Sequence, residues 1–231
     1  MNTISKVAIA LGLPIAVLVG TFVYISSPNL PAADYDNQIT YEDYPAGVTN
    51  PEQLSVVSYN IGYLSGLTNQ QAVERDRAFF SANQATAVQA LAALAPDILA
   101  LQEIDFDAYR SFNRNQQYAI SDALEMAHDA IAINWDKRYV PFPYWPPQAH
   151  YREVVSGQAV LSRYPIRRHE RLASAMASEP AVPTFPSDQP AYTLDYIFYT
   201  PATLEVIDAG VVAQATQASD HMPIQAQVRL R

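Results

Sequence analysis

The chain has 231 residues, room for one domain and an appendage. Apolar residues make up 49% of it and charged residues 16%, which excludes a disordered chain and leaves ample material for a core. A net charge of −9 excludes a basic nucleic-acid binder as the simple reading, and the absence of cysteine excludes disulfides, thiolate metal sites and a cysteine nucleophile.

Val7 to Ile25 (VAIALGLPIAVLVGTFVYI) carries no charge and is just long enough to span a bilayer. Gly12 and Pro14 interrupt it, and both are tolerated in membrane helices. Lys6 precedes the run and Asp34, Asp36, Glu42 and Asp43 follow it, so residues 1–30 read as an uncleaved single-pass anchor with the bulk of the chain on the periplasmic or extracellular side. The alternative is a cleaved signal peptide, although SSPNLPAAD offers no A-x-A site. Residues 31–51 are rich in Pro, Asp and Glu without apolar periodicity and read as a linker, leaving residues 52–231 as the domain.

Leu54–Tyr59 (LSVVSY) predicts a strand, Ser65–Asn69 a loop, and Gln70–Ala95 a helix stopped by Pro96. Asp97–Leu101 predicts a buried strand, which makes a βαβ unit and a sheet with helical cover. A second helix is expected over Asn113–Ala127. Further strands are expected at Gly157–Ser162, Thr193–Thr200, Leu204–Val212 and Pro223–Leu230. Lys137–Tyr151 (KRYVPFPYWPPQAHY) is too rich in proline for a central strand or helix. It reads as a stiff surface loop with rings packed on the core, or as a binding lip for substrate or lipid headgroups.

Several polar residues fall where strands end, the usual place for a site in a layered α/β protein. Asn60 ends the first strand and Glu103 the second, in ALQEID. Asp195 sits in the apolar run TLDYIF, where a lone carboxylate is costly unless paired. Asp220 and His221 open the last strand, in SDHMPI, a pair that suits metal binding or an oriented general base. Oxygen donors of this kind are right for Mg²⁺, and the lack of cysteines or paired histidines argues against zinc.

SYNIGYL, LQEIDFDAYRS, SGQAVLSRYPI, TFPSDQPAYTLDYIFYT and SDHMPI, in that order from about Leu54 onward, resemble the endonuclease/exonuclease/phosphatase (DNase I-like) superfamily. The resemblance implies a four-layered α/β sandwich and Mg²⁺-dependent hydrolysis of a phosphate-ester substrate, with Mn²⁺ as the alternative ion. It implies Glu103 as the main metal ligand, with Asn60 and Asp220 supporting it and Asn60 also reaching the substrate. It implies His221 facing the scissile phosphate and Asp195 holding its imidazole. Arg110 follows the glutamate motif and reads either as a forked phosphate clamp or as an ion pair with Asp105 or Asp107. His128, His150 and His169 match no motif.

The family carries two further motifs, an Asn-Thr-His-Leu-like stretch and a Gly-Asp-Phe-Asn-like one. Residues Ile166–Thr184 contain neither and leave no room for them. The expected second sheet is therefore incomplete and turnover reduced. A natural deletion, a faulty gene reading and a partner that completes the sheet all account for the gap. Beside the enzyme stand a non-catalytic phosphate-ligand module on the same fold and a defective product. With Lys6 set aside the net charge is about −10, which disfavours long nucleic acids. Arg75, Arg77, Arg110, Lys137, Arg138, Arg163, Arg167 and Arg168 either line a local basic groove or scatter over a solvated surface.

Overall fold

The computed structural model describes residues 3–45, 47, 51–168, 183–192, 194, 195, 197, 203–213 and 218–231, with side chains from residue 12 onward. Helix α1 spans Thr3–Ser26, α2 Arg77–Leu94 and α3 Gln116–Leu124. The strands are β1 (Asp36–Thr40), β2 (Gln53–Asn60), β3 (Ile98–Ala108), β4 (His128–Val140), β5 (Arg152–Ser162), β6 (Leu204–Val211) and β7 (Ile224–Leu230).

The seven strands form one mixed sheet in the order β1-β4-β5-β3-β2-β7-β6. β2 and β3 pair in parallel, with Val56 opposite Ile98 and Asn60 opposite Gln102, as the strand–helix–strand reading requires. Helix α2 connects them. Asp76 caps its start by accepting from Phe79 N–H at 2.8 Å, so the helix begins well after the expected Gln70. It ends at Leu94, with Ala95 in the left-handed region ahead of Pro96. Asn115 caps α3 by accepting from Tyr118 N–H. Val57, Tyr59, Leu99, Leu101 and Leu161 from the sheet pack with Phe80, Ala87 and Leu91 of α2 and Ile120 and Leu124 of α3 into one core.

Two expectations change here. Among the described residues there is one sheet rather than two, because β7 pairs antiparallel with β2 from Gln53–Arg229 to Ser58–Ile224, and β6 then adds to β7. The C-terminal strands thus extend the first sheet, and the sheet face away from α2 and α3 is open at Gln158 and at Val160, which is 39% exposed. The strand expected at 193–200 lies mostly outside the described residues. The second change concerns the expected linker at 31–51. β1 belongs to the sheet, pairing with the edge of β4 from Asp36–Ala132 to Thr40–His128. Asn29 and Leu30 donate backbone N–H to the Asp136 carboxylate at 2.7 and 2.8 Å. Polar, exposed β1 covers an edge that would otherwise leave backbone groups unpaired.

The end of α1 is fastened to β4. Lys137 Nζ donates to the Ser26 carbonyl at 2.6 Å, and Arg138 Nε donates to the Pro28 carbonyl at 3.2 Å. Leu13, Ile15, Leu18, Phe22 and Val23 of α1 are all exposed. Among the described residues no helix is long and apolar enough to cross a membrane. The side chains described in α1 begin at residue 12, and 12–26 rises only about 22 Å. The proline-aromatic segment is part strand and part loop: β4 runs to Val140, Tyr151 packs on Trp135 and Phe142, and Tyr144 and Trp145 project into solvent.

Asp129 on β4 is fully buried and accepts from Ser121 Oγ at 3.0 Å and from Gln117 Nε2. Burial pushes its pKa from 3.8 up to about 7, against the pull of these hydrogen bonds. The native state therefore holds a proton that the unfolded chain has lost. This group's contribution to stability is full below about pH 4 and is lost as pH rises through 7, by a few kcal/mol at most. Asp129→Asn is expected to flatten that decline and to raise the Tm at pH 8 by roughly 5 °C or more. Thermal melts of both proteins from pH 4 to 8 check it.

Candidate active site

The site forms where β2 ends, at a bulge inside β3 and just ahead of β7; β3 runs on to Ala108, so Glu103 stands within that strand and does not end it as expected. Asn60 is the last residue of β2. Its Oδ1 accepts from Gly62 N–H at 3.0 Å, and its Nδ2 donates to Glu103 Oε1 at 3.1 Å. Glu103 sits where the β3–β5 register shifts between Leu101 and Ile104, with φ of 50°. A bulge with left-handed backbone at a non-glycine residue costs energy and re-aims the side chain, an arrangement that concentrates at functional sites. Gly62 closes the floor: a Cβ there would lie 2.6 Å from Asp220 Oδ1, and its φ is +52°.

Asp220 arrives from the segment before β7. The Ser219 hydroxyl donates to the Asn60 carbonyl at 2.7 Å, and Gly66 bridges Ser219, so this segment is tied to β2 and to the following loop. Asn69, on that loop, joins the two carboxylates. Its Nδ2 lies 3.0 Å from Glu103 Oε2 and 3.2 Å from each Asp220 oxygen. Burial raises the Asp220 pKa; His221 and the Asn69 amide pull it down, and the Glu103 charge adds to the rise. Two carboxylates held this close repel each other, and an amide N–H₂ is the only donor between them among the described residues.

His221 is buried beside this pair. Its Nδ1 is 2.9 Å from Asp195 Oδ2, and the same oxygen accepts from Thr184 Oγ1 at 2.6 Å. Phe185 lies against the imidazole, ring centroids 4.8 Å apart. Burial alone would lower the His221 pKa. The Asp195 hydrogen bond and the charges of Asp195, Asp220 and Glu103 outweigh it and hold the imidazole above its usual value.

The structure thus brings Asn60, Glu103, Asp195, Asp220 and His221 together. Arg110 is the exception. Its Nε and Nη2 donate to Asp105 at 3.1 and 2.7 Å, Nη2 also reaches Ser156 Oγ, and the guanidinium stacks 3.5 Å from the Tyr63 centroid between Trp135 and Tyr151. The fork expected to clamp phosphate is committed to a buried carboxylate, so the ion-pair alternative is the one observed. Asn69, Thr184 and Ser219 take part without having been singled out. Thr184 and Ser219 lie in or beside quoted motifs, but Asn69 sits in a loop with no periodic signal.

Among the described residues, no three of His, Cys, Asp and Glu gather as a metal cluster. The donor set is two carboxylates flanked by two amides. That set fits Mg²⁺, a hard cation that keeps several waters and takes one or two carboxylates, and it does not fit zinc. As the Asn60 amide stands, its oxygen serves Gly62 and its nitrogen Glu103, so Asn60 orients the carboxylate.

The profile of the Endonuclease/Exonuclease/phosphatase family matches residues 57–174. No curated protein matches the chain. The fold is similar to the crystal structure of an endonuclease/exonuclease/phosphatase from Beutenbergia cavernae DSM 12333, with a TM-score of 0.53 over 78% of this chain and 72% of that one. At 15% identity this likeness speaks for the fold alone. With the family profile spanning just over half of its length, the chain belongs to the endonuclease/exonuclease/phosphatase family.

Proposed function

We propose that the chain is a Mg²⁺-dependent phosphoesterase, with Mn²⁺ able to substitute, carried on a membrane by α1 with its domain on the periplasmic or extracellular side. The observation that carries the activity is the convergence of Glu103 and Asp220 on Asn69, beside the buried His221–Asp195 pair. Glu103 and Asp220 would hold the cation, which when bound supplies charge compensation to phosphoryl oxygens. Asn60 and Asn69 keep the two carboxylates in place. Asp195, itself fixed by Thr184, anchors Nδ1 of His221 and leaves Nε2 as the nitrogen for the substrate. The anionic surroundings of His221 favour its protonated form, which suits donation of a hydrogen bond or proton to a phosphoryl or leaving-group oxygen. The net charge of about −10 with Lys6 set aside supports small or lipid phosphoesters over long nucleic acids as substrates. The exposed apolar side chains of α1 and the uncharged run at Val7–Ile25 support the anchor.

A second reading, ligand binding without turnover, draws on the missing Gly-Asp-Phe-Asn-like stretch. The test is hydrolysis of bis(4-nitrophenyl) phosphate, 4-nitrophenyl phosphate and phospholipid vesicles by the full chain, with and without Mg²⁺. Enzymatic function predicts Mg²⁺-dependent release on at least one of them and a loss of roughly 10²–10⁴-fold in kcat in His221→Asn. A folded protein that releases nothing from any of them leaves the binding reading or a defective product.

A further inference from the structure

Beside the catalytic residues runs a cleft that the hydrolytic reading does not use. A cavity of about 210 Å³ is walled by Arg75, the Tyr109–Phe112 turn and the end of the proline-aromatic segment, His150 and Tyr151. It shares Val73, Glu74 and Arg75 with a second cavity that reaches Thr68. Thr68 directly precedes Asn69, the residue that touches both site carboxylates, so cleft and site are built on one loop.

The cleft is cationic in an acidic protein. Arg110 on its wall is balanced by Asp105, but Arg75 has no carboxylate partner among the described residues. Among the described residues the half-buried Arg75 guanidinium donates only to Thr68 Oγ1 at 2.7 Å and to the carbonyls of Thr68, Gln71 and Val73. Dipoles of this kind hold a guanidinium in place without neutralising it. Two more cations lie over the cleft's rings: Arg152 is 4.2 Å from the Tyr109 centroid and Arg77 5.1 Å from that of Phe112. His150 bonds through Nδ1 to Tyr139, and its Nε2 is buried without a partner among the described residues. Glu74 is the carboxylate on the first cavity's wall and Asp76 joins it on the second's, and both are exposed.

We propose that this cleft is a second ligand site that takes a ring-bearing anionic group, the part of the substrate remote from the scissile phosphate. The anion meets Arg75, and the ring lies among Tyr109, Phe112 and Tyr151. The assignment to substrate rests on the phosphoesterase reading; the binding chemistry does not.

The test is calorimetric titration of the full chain, in EDTA, with phenylphosphonate and with methylphosphonate, neither of which is hydrolysed. Phenylphosphonate is expected to bind saturably and roughly two- to tenfold more tightly than methylphosphonate, the worth of one ring contact. Arg75→Gln is expected to weaken it by roughly tenfold or more, the worth of a charged hydrogen bond, and Arg75→Lys to restore part of the loss. Tyr109→Ala, at a half-exposed ring, is expected to remove the preference for the phenyl group, and melting curves establish that each variant folds. Absence of saturable binding by the wild type, or equal binding by Arg75→Gln, overturns the proposal. So does binding that His221→Asn abolishes and Arg75→Gln leaves intact, which would place the anion at the catalytic residues. Because no turnover is read, phenylphosphonate binding with these variant effects supports the cleft even if the chain hydrolyses nothing.

Discussion

Glu103→Gln is expected to lower kcat/KM for phosphoester hydrolysis by about 10³-fold or more, some 4 kcal/mol of transition-state stabilisation. The substitution keeps the shape of the side chain and one oxygen for Asn60 or Asn69, so the fold should survive with a Tm change of no more than a few degrees. What it removes is the negative charge at the β3 bulge. Glu103 is held by two amides, stands at the β3 bulge and faces the Asp220 carboxylate through Asn69. A neutral residue there leaves Asp220 alone to meet a cation, and the backbone strain at φ 50° then serves nothing. Steady-state kinetics across a Mg²⁺ series, with melting curves on the same samples, check both halves. Asp220→Asn should lose less, because His221 and Glu103 stay in place.

The second large effect is on stability. Arg110 is 6% exposed at its side chain and Asp105 0%, so both charges are largely removed from water. The pair is closed by the Ser156 hydroxyl, 2.5 Å from Asp105 Oδ1, and by the rings of Tyr63, Trp135 and Tyr151 around the guanidinium. Burial raises the Tyr63 phenol to about 12, opposed by the Arg110 charge, so the ring stays neutral under the cation. Arg110→Met is expected to destabilise the protein by about 3–5 kcal/mol, because it strands a buried carboxylate. Asp105→Asn alone should also destabilise, and the double variant Arg110→Met/Asp105→Leu should recover much of the loss, since two apolar side chains leave no charge to desolvate. Urea unfolding of the three variants reads the midpoints. A fall for Arg110→Met below 1 kcal/mol would show that the pair is hydrated and not part of the core.

The parts of the fold legible in the sequence are those set by local pattern. The short β-rich run at Leu54–Tyr59 and the apolar run at Asp97–Leu101, joined by an Ala-rich stretch, give the parallel β2–β3 pair. Polar side chains at strand ends collect at one rim of a sheet, which makes Asn60, Asp220 and His221 legible as a group, whereas Glu103 reaches the same rim from a bulge inside β3 and not from a strand end. What escaped depends on neighbours distant in sequence. β1 (DNQIT) has no apolar alternation, since an exposed edge strand buries neither face, and its strand state comes from pairing with β4. Gln70–Arg75 has helical composition, but the Asp76 cap and the bonds of Arg75 back to Thr68 hold that stretch as a loop, so α2 starts later than its composition suggests. Asn69 lies on this loop, where no periodicity marks it. Arg110 had two equally good readings because the choice between phosphate and Asp105 depends on whether β5 brings Ser156 beside it, and in the structure it does. The basic side chains, read as grooved or scattered, divide: Arg75, Arg77 and Arg110 gather at one cleft, while Lys137 and Arg138 secure the end of α1.

The central claim is that Glu103 and Asp220 together seat one divalent cation. Mn²⁺ titration of the full chain followed by electron paramagnetic resonance tests it directly, because free and bound Mn²⁺ give separable signals. The account predicts one saturable Mn²⁺ in the wild type, displaced by Mg²⁺ and lost in both Glu103→Gln and Asp220→Asn. A folded wild type that takes up no Mn²⁺, or one whose uptake both variants leave unchanged, would contradict it.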